Sequence, residues 1–403
     1  MRRLLSLATL YPNASAPRFA TFVARSLEAL AARGDWRVTV INPIGVPPVR
    51  FGIYRTLAAA AVDGIEHKVA VHRPTFPLIP RFGGRLNPHL IAHAVLPLVK
   101  RLHAETPFDL VDAQFFYPDG PAAALVAEAL DLPLAIKARG SDISYWGRRG
   151  YALKKMRAAA GKASVVLAVS QALARDMAAL GLPGDKIRIH YTGLDRDLFH
   201  PLDRIECRRR AAEHFGFELP LGAPLLVTVG ALIERKGQAF VLRALARVPG
   251  AQLLLVGKGE DRTKLHDIAV AEGVAERVHF LGSLDHTMLP VVLSAADAMV
   301  LPSASEGLAN AWVEALACGC PLVISDAGGA RELLTHPEAG RIVARDPAAI
   351  AEAVRALIEQ PPDRDVVSAT VERFSWPAHA EALDAIYSAI IGPYPSPEEK
   401  VAP

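Results

Sequence analysis

The 403-residue chain is 51% hydrophobic and 22% charged, with a net charge of +3. That length exceeds one ordinary core and calls for two domains, while no apolar run approaches the roughly 18 residues that span a bilayer. Of the three cysteines, Cys318-Gly-Cys320 has no second pair to complete a zinc site and reads as small buried residues in a helix-to-strand turn. The N-terminus is signal-like only superficially. Its apolar stretch is short, lacks a small-x-small cleavage site and runs into Tyr11-Pro12-Asn13, so it reads as the first buried strand of a cytoplasmic protein.

In chain order, the apolar pattern predicts a strand over residues 4–10, a helix over 19–32 stopped by Gly34, and a strand over 37–41. Pro-rich loops are expected at 42–50 and 73–88, followed by a helix over 90–103 kinked at Pro97. Strands are predicted over 108–113, 134–137, 165–169 and 186–190, with helices over 121–130 and 171–180 between them. Strands alternating with helices of this length mean a parallel sheet covered on both faces. Ligands of such sheets gather beyond the carboxyl ends of the strands. Asp119, Arg139, Ser141 and Asp142 fall on such loops and are site candidates. Asp142 also suits a helix N-cap, and one residue can serve both ends.

Charge is unevenly divided. Residues 1–200 hold 26 Lys/Arg and 15 Asp/Glu, a balance of +11; residues 201–403 hold 19 and 27, a balance of −8. From Lys137 to Lys162 eight basic residues face one acid, Asp142, with Tyr145, Trp146 and Tyr151 interleaved. Such a segment suits an anionic bilayer surface or an ordinary solvated helix face. No nucleic-acid module is visible.

The first domain is expected over 1–200 and a linker over 201–222, which includes a charged helix at 204–215. A second domain is expected over 223–375. Its predicted strands are 225–229, 253–256, 278–281, 298–301, 322–325 and 341–343, with helices over 238–247, from 261, and over 286–295 and 347–358. A last helix, 376–390, is expected to pack back on the first domain, with a frayed tail over 393–403. Gly230 ends the first of these strands, and Arg235-Lys236 precede a helix start, where an arginine fork, a lysine point charge and backbone N–H groups suit a diphosphate. Gly257-Lys258-Gly259 is not a dinucleotide fingerprint, and there is no Walker loop.

The stretch from Pro302 to Val323 is the most informative. Glu306 and Glu314 stand eight residues apart across a turn and a helix start. A fully helical interval would separate them by roughly 12 Å. That is too far for one acid/base dyad, since glycosidase carboxylates sit about 5–9.5 Å apart. A grip on two parts of an extended polar ligand fits better. The Gly328-Gly329 loop lets backbone approach such a ligand closely.

This ordered set resembles the family 4 glycosyltransferases, retaining enzymes with two facing Rossmann-like, doubly wound α/β domains and a cleft between them (the GT-B architecture). The resemblance runs through Glu306 to Glu314 with Ala-Cys-Gly-Cys-Pro-Leu-Val after it, Gly230 with Arg235-Lys236-Gly237, Leu255 to Gly259, and Gly193-Leu194-Asp195. Tyr117-Pro118-Asp119-Gly120 and Arg139-Gly140-Ser141-Asp142 are similar to a branch that builds bacterial surface polysaccharides. The resemblance implies a nucleotide-diphosphate sugar donor, no cofactor and no metal. Glu306 would bond the donor sugar, and Gly307, Leu308, Ala309 and Asn310 would offer amides to the diphosphate. Glu314 would hold the ribose, and Arg235 and Lys236 would neutralise the leaving group. Gly230, Gly257 and Gly282 would complete the donor side. Asp119, Arg139, Ser141 and Asp142 would face a glycan or lipid-linked acceptor, with Arg139, Asp142, Lys236 and Glu306 nearest the chemistry. Many members carry His where Arg139 stands; an arginine cannot shuttle a proton at neutral pH, so its expected role is a charge clamp. An epimerase of the same fold and a non-catalytic nucleotide-sugar binder are the alternative readings.

Overall fold

A computed structural model describes residues 1–48, 52–79, 83–220, 222–285 and 287–392, apart from the side chain of Ile53. The expected frayed tail, residues 49–50 and 80–82 of the two Pro-rich loops, and His286 lie outside those residues. The chain forms two compact units, Met1–Gly193 with the C-terminal segment from Trp376, and Leu194–Ser375.

The first unit contains strands Arg2–Leu7 (β1), Trp36–Ile41 (β2), Ile44–Val46 (β3), Gly64–Glu66 (β4), Val69–His72 (β5), Thr75–Pro77 (β6), Leu110–Ala113 (β7), Leu134–Ala138 (β8), Val165–Ala168 (β9) and Ile187–Ile189 (β10). Eight of them make one sheet in the order β10-β9-β8-β7-β1-β2-β5-β4, parallel except for the β4–β5 pair. β7, β8 and β9 are buried along their whole length, as strands covered on both faces must be. The expected Pro-rich loops are corrected in part: β3 and β6 pair as a separate two-stranded ribbon inside them. Three-residue strands flanked by prolines carry too little period-2 pattern to read from sequence. β4, β5 and helix Ile53–Ala59 are likewise too short for their periodicity to stand out.

The second unit contains Leu225–Val229 (β11), Gln252–Val256 (β12), Val278–Gly282 (β13), Ala298–Leu301 (β14), Leu322–Ser325 (β15) and Gly340–Val343 (β16). They form an all-parallel sheet in the order β13-β12-β11-β14-β15-β16. Residues 201–222, read as a linker, carry helix Arg204–Phe215, capped by Asp203 and tied to the unit by Arg204 and Arg208 on Asp297 at 2.9 and 2.7 Å. Cys318 and Cys320 are buried in the turn before β15, and burial raises both thiols above their ordinary range.

Helix Trp376–Ile391 belongs to the first unit and seals one face of its sheet. Leu383 and Tyr387 enter the core beside Trp36, and Asp384 accepts from Trp36 Nε1 at 2.8 Å and from Arg2 and Arg33 at 3.1 and 3.0 Å. Among the described residues no helix is long and apolar enough to cross a membrane.

Candidate active site

Strand order creates one crevice in each unit. In the second, the chain winds outward from β11 through β12 to β13 on one side, and from β14 through β15 to β16 on the other. The loops after β11 and β14 therefore part, and the gap between them is the topological switch point where open α/β sheets take ligands.

The residues singled out from sequence meet there. The loop after β11 tightens into a 3-10 turn at Glu234–Lys236, and the loop after β14 runs beside it. The Ala304 amide donates to the Arg235 carbonyl at 2.7 Å, and Arg235 Nη1 donates to the Ser305 carbonyl. Lys236 Nζ donates to Glu306 Oε1 at 2.5 Å, while Arg235 Nη1 stands 3.5 Å from Glu306 Oε2. The lysine and glutamate side chains are 13% and 9% exposed, the Arg235 side chain 42%, so a shielded ion pair is flanked by a cation that reaches solvent. A charge-assisted bond in such surroundings fixes both groups before any ligand arrives.

Gly237, at φ +77°, permits this approach, since a Cβ there would lie 2.3 Å from the Pro302 carbonyl, and two further glycines draw in the neighbouring strand ends. A Cβ on Gly257 would lie 1.9 Å from the Gly230 carbonyl, and φ there is +141°. The ends of β11, β12 and β13 thus step together, with Gly230 N donating to Val256 O and Gly257 N to Gly282 O at 2.9 and 2.7 Å. Gly328, at φ +53°, sits where a Cβ would fall 2.2 Å from the Glu306 carbonyl, and Gly329 N donates to Gly307 O at 2.8 Å. The loop after β15 therefore clasps the backbone that carries Glu306. Gly307, Leu308 and Ala309 lead into helix Asn310–Ala317, whose N-terminus has no side-chain cap. Uncapped N-terminal amides are suited to an anion. Glu314 lies on that helix, and burial pushes its carboxyl up to about 7.

The first unit has its crevice between β1 and β7, from which the chain also winds outward both ways. Asp119 bridges it from the β7 side. Its two oxygens accept from the Thr9 amide at 2.9 Å and the Thr9 hydroxyl at 2.6 Å, and it is wholly buried, which pushes its carboxyl up to about 7. Asp142 is equally buried, accepting from the amides of Phe116, Arg139 and Gly140 at 2.9, 3.0 and 2.8 Å. These two carboxylates hold loops in place. Arg139 donates from Nε and Nη2 to the Gln114 carbonyl and side-chain oxygen at 3.0 and 2.6 Å and lies over the Phe22 ring. Burial draws its guanidinium down to about 10, and Nη1 is left without a partner. Ser141 is exposed.

Lys137, counted from sequence in the basic segment 137–162, is 2% exposed and is corrected to an interior residue. Its Nζ lies 2.8 Å from His190 Nδ1, and burial pushes it well below the ordinary lysine range. Arg148, Lys154, Arg157 and Lys162 do reach solvent. Sequence reading also missed Thr9; as a hydroxyl just past β1, at the carboxyl edge of the crevice, it was accessible to the same argument that found Asp119.

The family models described as "Glycosyltransferase Family 4" and "Glycosyl transferases group 1" match residues 20–198 and 209–373, one for each unit. The chain belongs to glycosyltransferase family 4. Among relatives of this glycosyltransferase, TuaC of Bacillus subtilis, named for teichuronic acid biosynthesis, is 29% identical over 96% of this chain and 98% of its own. LpsE of Rhizobium meliloti, a lipopolysaccharide core biosynthesis glycosyltransferase, is 36% identical over 33% of this chain and 38% of its own. Anabaena HepE, solved with UDP and glucose, is 21% identical and superposes with a TM-score of 0.73 over 96% of this chain and all of that one (100%). The sucrose-phosphate synthase of Thermosynechococcus elongatus reaches 0.78 at 22% identity, covering 96% and 99%. The doubly wound two-unit architecture expected from sequence is thus the GT-B fold.

Proposed function

We propose that this family 4 enzyme transfers a sugar, with retention at the anomeric carbon, from a nucleotide-diphosphate sugar to a hydroxyl of a glycan or lipid-linked acceptor in the assembly of a surface polysaccharide. The observation that carries the reading is the Lys236–Glu306 pair at the switch point of the second sheet, with Arg235 beside it. Glu306 offers acceptor oxygens to sugar hydroxyls. Arg235, Lys236 and the amides from Gly307 to Asn310 offer the positive charge that a departing diphosphate requires, so the chemistry needs no bound metal or cofactor. Glu314 offers oxygens for ribose hydroxyls. Arg139 and Ser141, with the loops that Asp119 and Asp142 hold, form the acceptor side. The names of TuaC and LpsE support the polysaccharide assignment, and the ligands of HepE support the donor class.

The enzyme would work at the inner face of a membrane, held peripherally by the exposed cations of the basic segment. A thermal-shift panel of UDP-, GDP- and ADP-sugars tests the donor reading, because a ligand that binds only the folded state raises its melting point. Labelled donor with membrane extract then tests transfer. Label entering lipid or glycan supports the assignment, and binding without turnover overturns it in favour of a sugar-nucleotide sensor. Free 2-epimer released without an acceptor assigns the protein to the epimerases instead.

A further inference from the structure

The first unit carries a pocket of about 780 Å³ that no role above uses. Tyr54, Arg85, Tyr145, Trp146, Arg149 and Tyr151 are among its walls. Its wall packs against the loop after β7. The Tyr117 ring packs 4.8 Å from Trp146 and 6.3 Å from Tyr151, and its hydroxyl donates to the Gly84 carbonyl. Trp146 ends the short helical turn Asp142–Trp146 that the buried Asp142 carboxylate anchors. The pocket therefore adjoins the acceptor-side loops and is held by the same bonds.

Its chemistry is unusual for a surface hollow. The Arg149 guanidinium lies 3.7 Å from the Tyr145 ring centre and 5.2 Å from that of Trp146, and the Arg85 guanidinium lies 5.1 Å from that of Tyr151. Among the described residues no carboxylate lines the pocket and neither arginine is ion-paired. Lys155 Nζ donates to the Arg85 carbonyl at 2.6 Å and holds that stretch of backbone in place. Arg149 Nη1 donates to the Tyr145 carbonyl at 3.1 Å; the aromatic faces steady the guanidinium without neutralising it, so its remaining N–H groups can meet a carboxylate or a phosphate. Tyr145 is 53% exposed, leaving ring surface free to cover the C–H face of a flat ligand. The concave shape fits one or two rings and not a bilayer plane.

We propose that this pocket binds a sugar ring bearing a negative charge, either a uronate or a sugar phosphate, as a remote part of the acceptor. Its place in the reaction rests on the transfer reading above; the binding itself does not.

The test is titration calorimetry of the full chain, in the presence of UDP, with trigalacturonate, glucose 1-phosphate, maltotriose and inorganic pyrophosphate. At least one charged sugar should bind about tenfold or more tightly than maltotriose and pyrophosphate, a difference of about 1.4 kcal/mol, and the better of the two identifies the anionic group. Arg149→Gln and Trp146→Leu should each weaken that binding about tenfold, leaving the UDP-induced thermal shift unchanged. Should Trp146→Leu fail to fold, Arg85→Gln, on the exposed rim, takes its place. Equal affinity for charged and neutral sugars, pyrophosphate binding as tight as either charged sugar, or full affinity in Arg149→Gln overturns the proposal. Charged-sugar binding in a protein that shows no UDP-dependent shift would retain the pocket and remove the transfer reading.

Discussion

Glu306 and Glu314 began as two carboxylates at a suggestive spacing and end with different environments. Glu306 is neutralised by Lys236 at 2.5 Å, whereas Glu314 is held by burial with its carboxyl pushed up to about 7. Removing one member of a shielded pair strands the other. Lys236→Ala should cost about 3 kcal/mol in urea unfolding, and the double variant Lys236→Ala/Glu306→Ala should recover part of the loss. Both should abolish nucleotide release from the donor; near-normal turnover would refute the donor-site placement. For Glu314 the sign of the pH dependence is fixed. A folded pKa above the unfolded value means that the folded chain holds the proton more tightly, so this stability is full below about 4.5 and is lost as pH rises through about 7. Asp119 acts in the same direction. Glu314→Gln should therefore lessen the fall in urea midpoint between pH 5 and 8. If the ionised carboxylate accepts ribose hydroxyls, donor affinity in the parent should climb as pH rises through about 7, and in the variant it should stay flat.

Among the elements, the loops at the ends of β14 and β15 and the final helix carry the most weight. The first two are locked by backbone contact, which leaves no room for a side chain at Gly328. Gly328→Ala should destabilise by more than about 1 kcal/mol and displace Glu306, weakening donor binding by calorimetry even though no ligand contact is altered directly. Helix Trp376–Ile391 is fastened to the first unit by buried polar groups. Tyr387 donates to Asp112 Oδ2 at 2.6 Å with both residues 1% exposed, and His379 Nε2 meets Ser26 Oγ at 2.6 Å. Tyr387→Phe should cost about 2 kcal/mol, read from urea unfolding, because the aspartate loses a donor that water cannot replace. An unchanged midpoint would show that Gln114 alone satisfies that carboxylate.

For the molecule as a whole, the balance of +11 in residues 1–200 against −8 in the rest is the global electrostatic feature. With Lys137 turned inward and Lys162 paired with Glu128 at 2.6 Å, the cations left to meet an anionic surface include Arg148, Lys154 and Arg157. Pelleting with anionic vesicles should exceed pelleting with neutral ones at low salt and fall as ionic strength rises, since the attraction is screened within a Debye length. Equal recovery on both vesicle types would exclude peripheral docking of this kind.

What the sequence by itself determined was the alternation of strand and helix, the continuous apolar runs of β11, β12, β14 and β15, and the carboxyl-end loops on which Glu306, Lys236 and Asp119 stand. Those follow from local periodicity and from residue types that only certain backbone conformations admit. What tertiary structure alone decided was strand order. Order places the loop after β11 beside the loop after β14, though some 70 residues separate them, and so makes Lys236 and Glu306 a pair. The same long-range pairing turned Lys137 inward onto His190 and gathered Arg85, from before one helix, against Tyr151 on another. Composition reported the charges and rings; only the packing of distant segments assigned each to an interior, a pocket or a surface, because burial is a property of the fold and not of any stretch of chain.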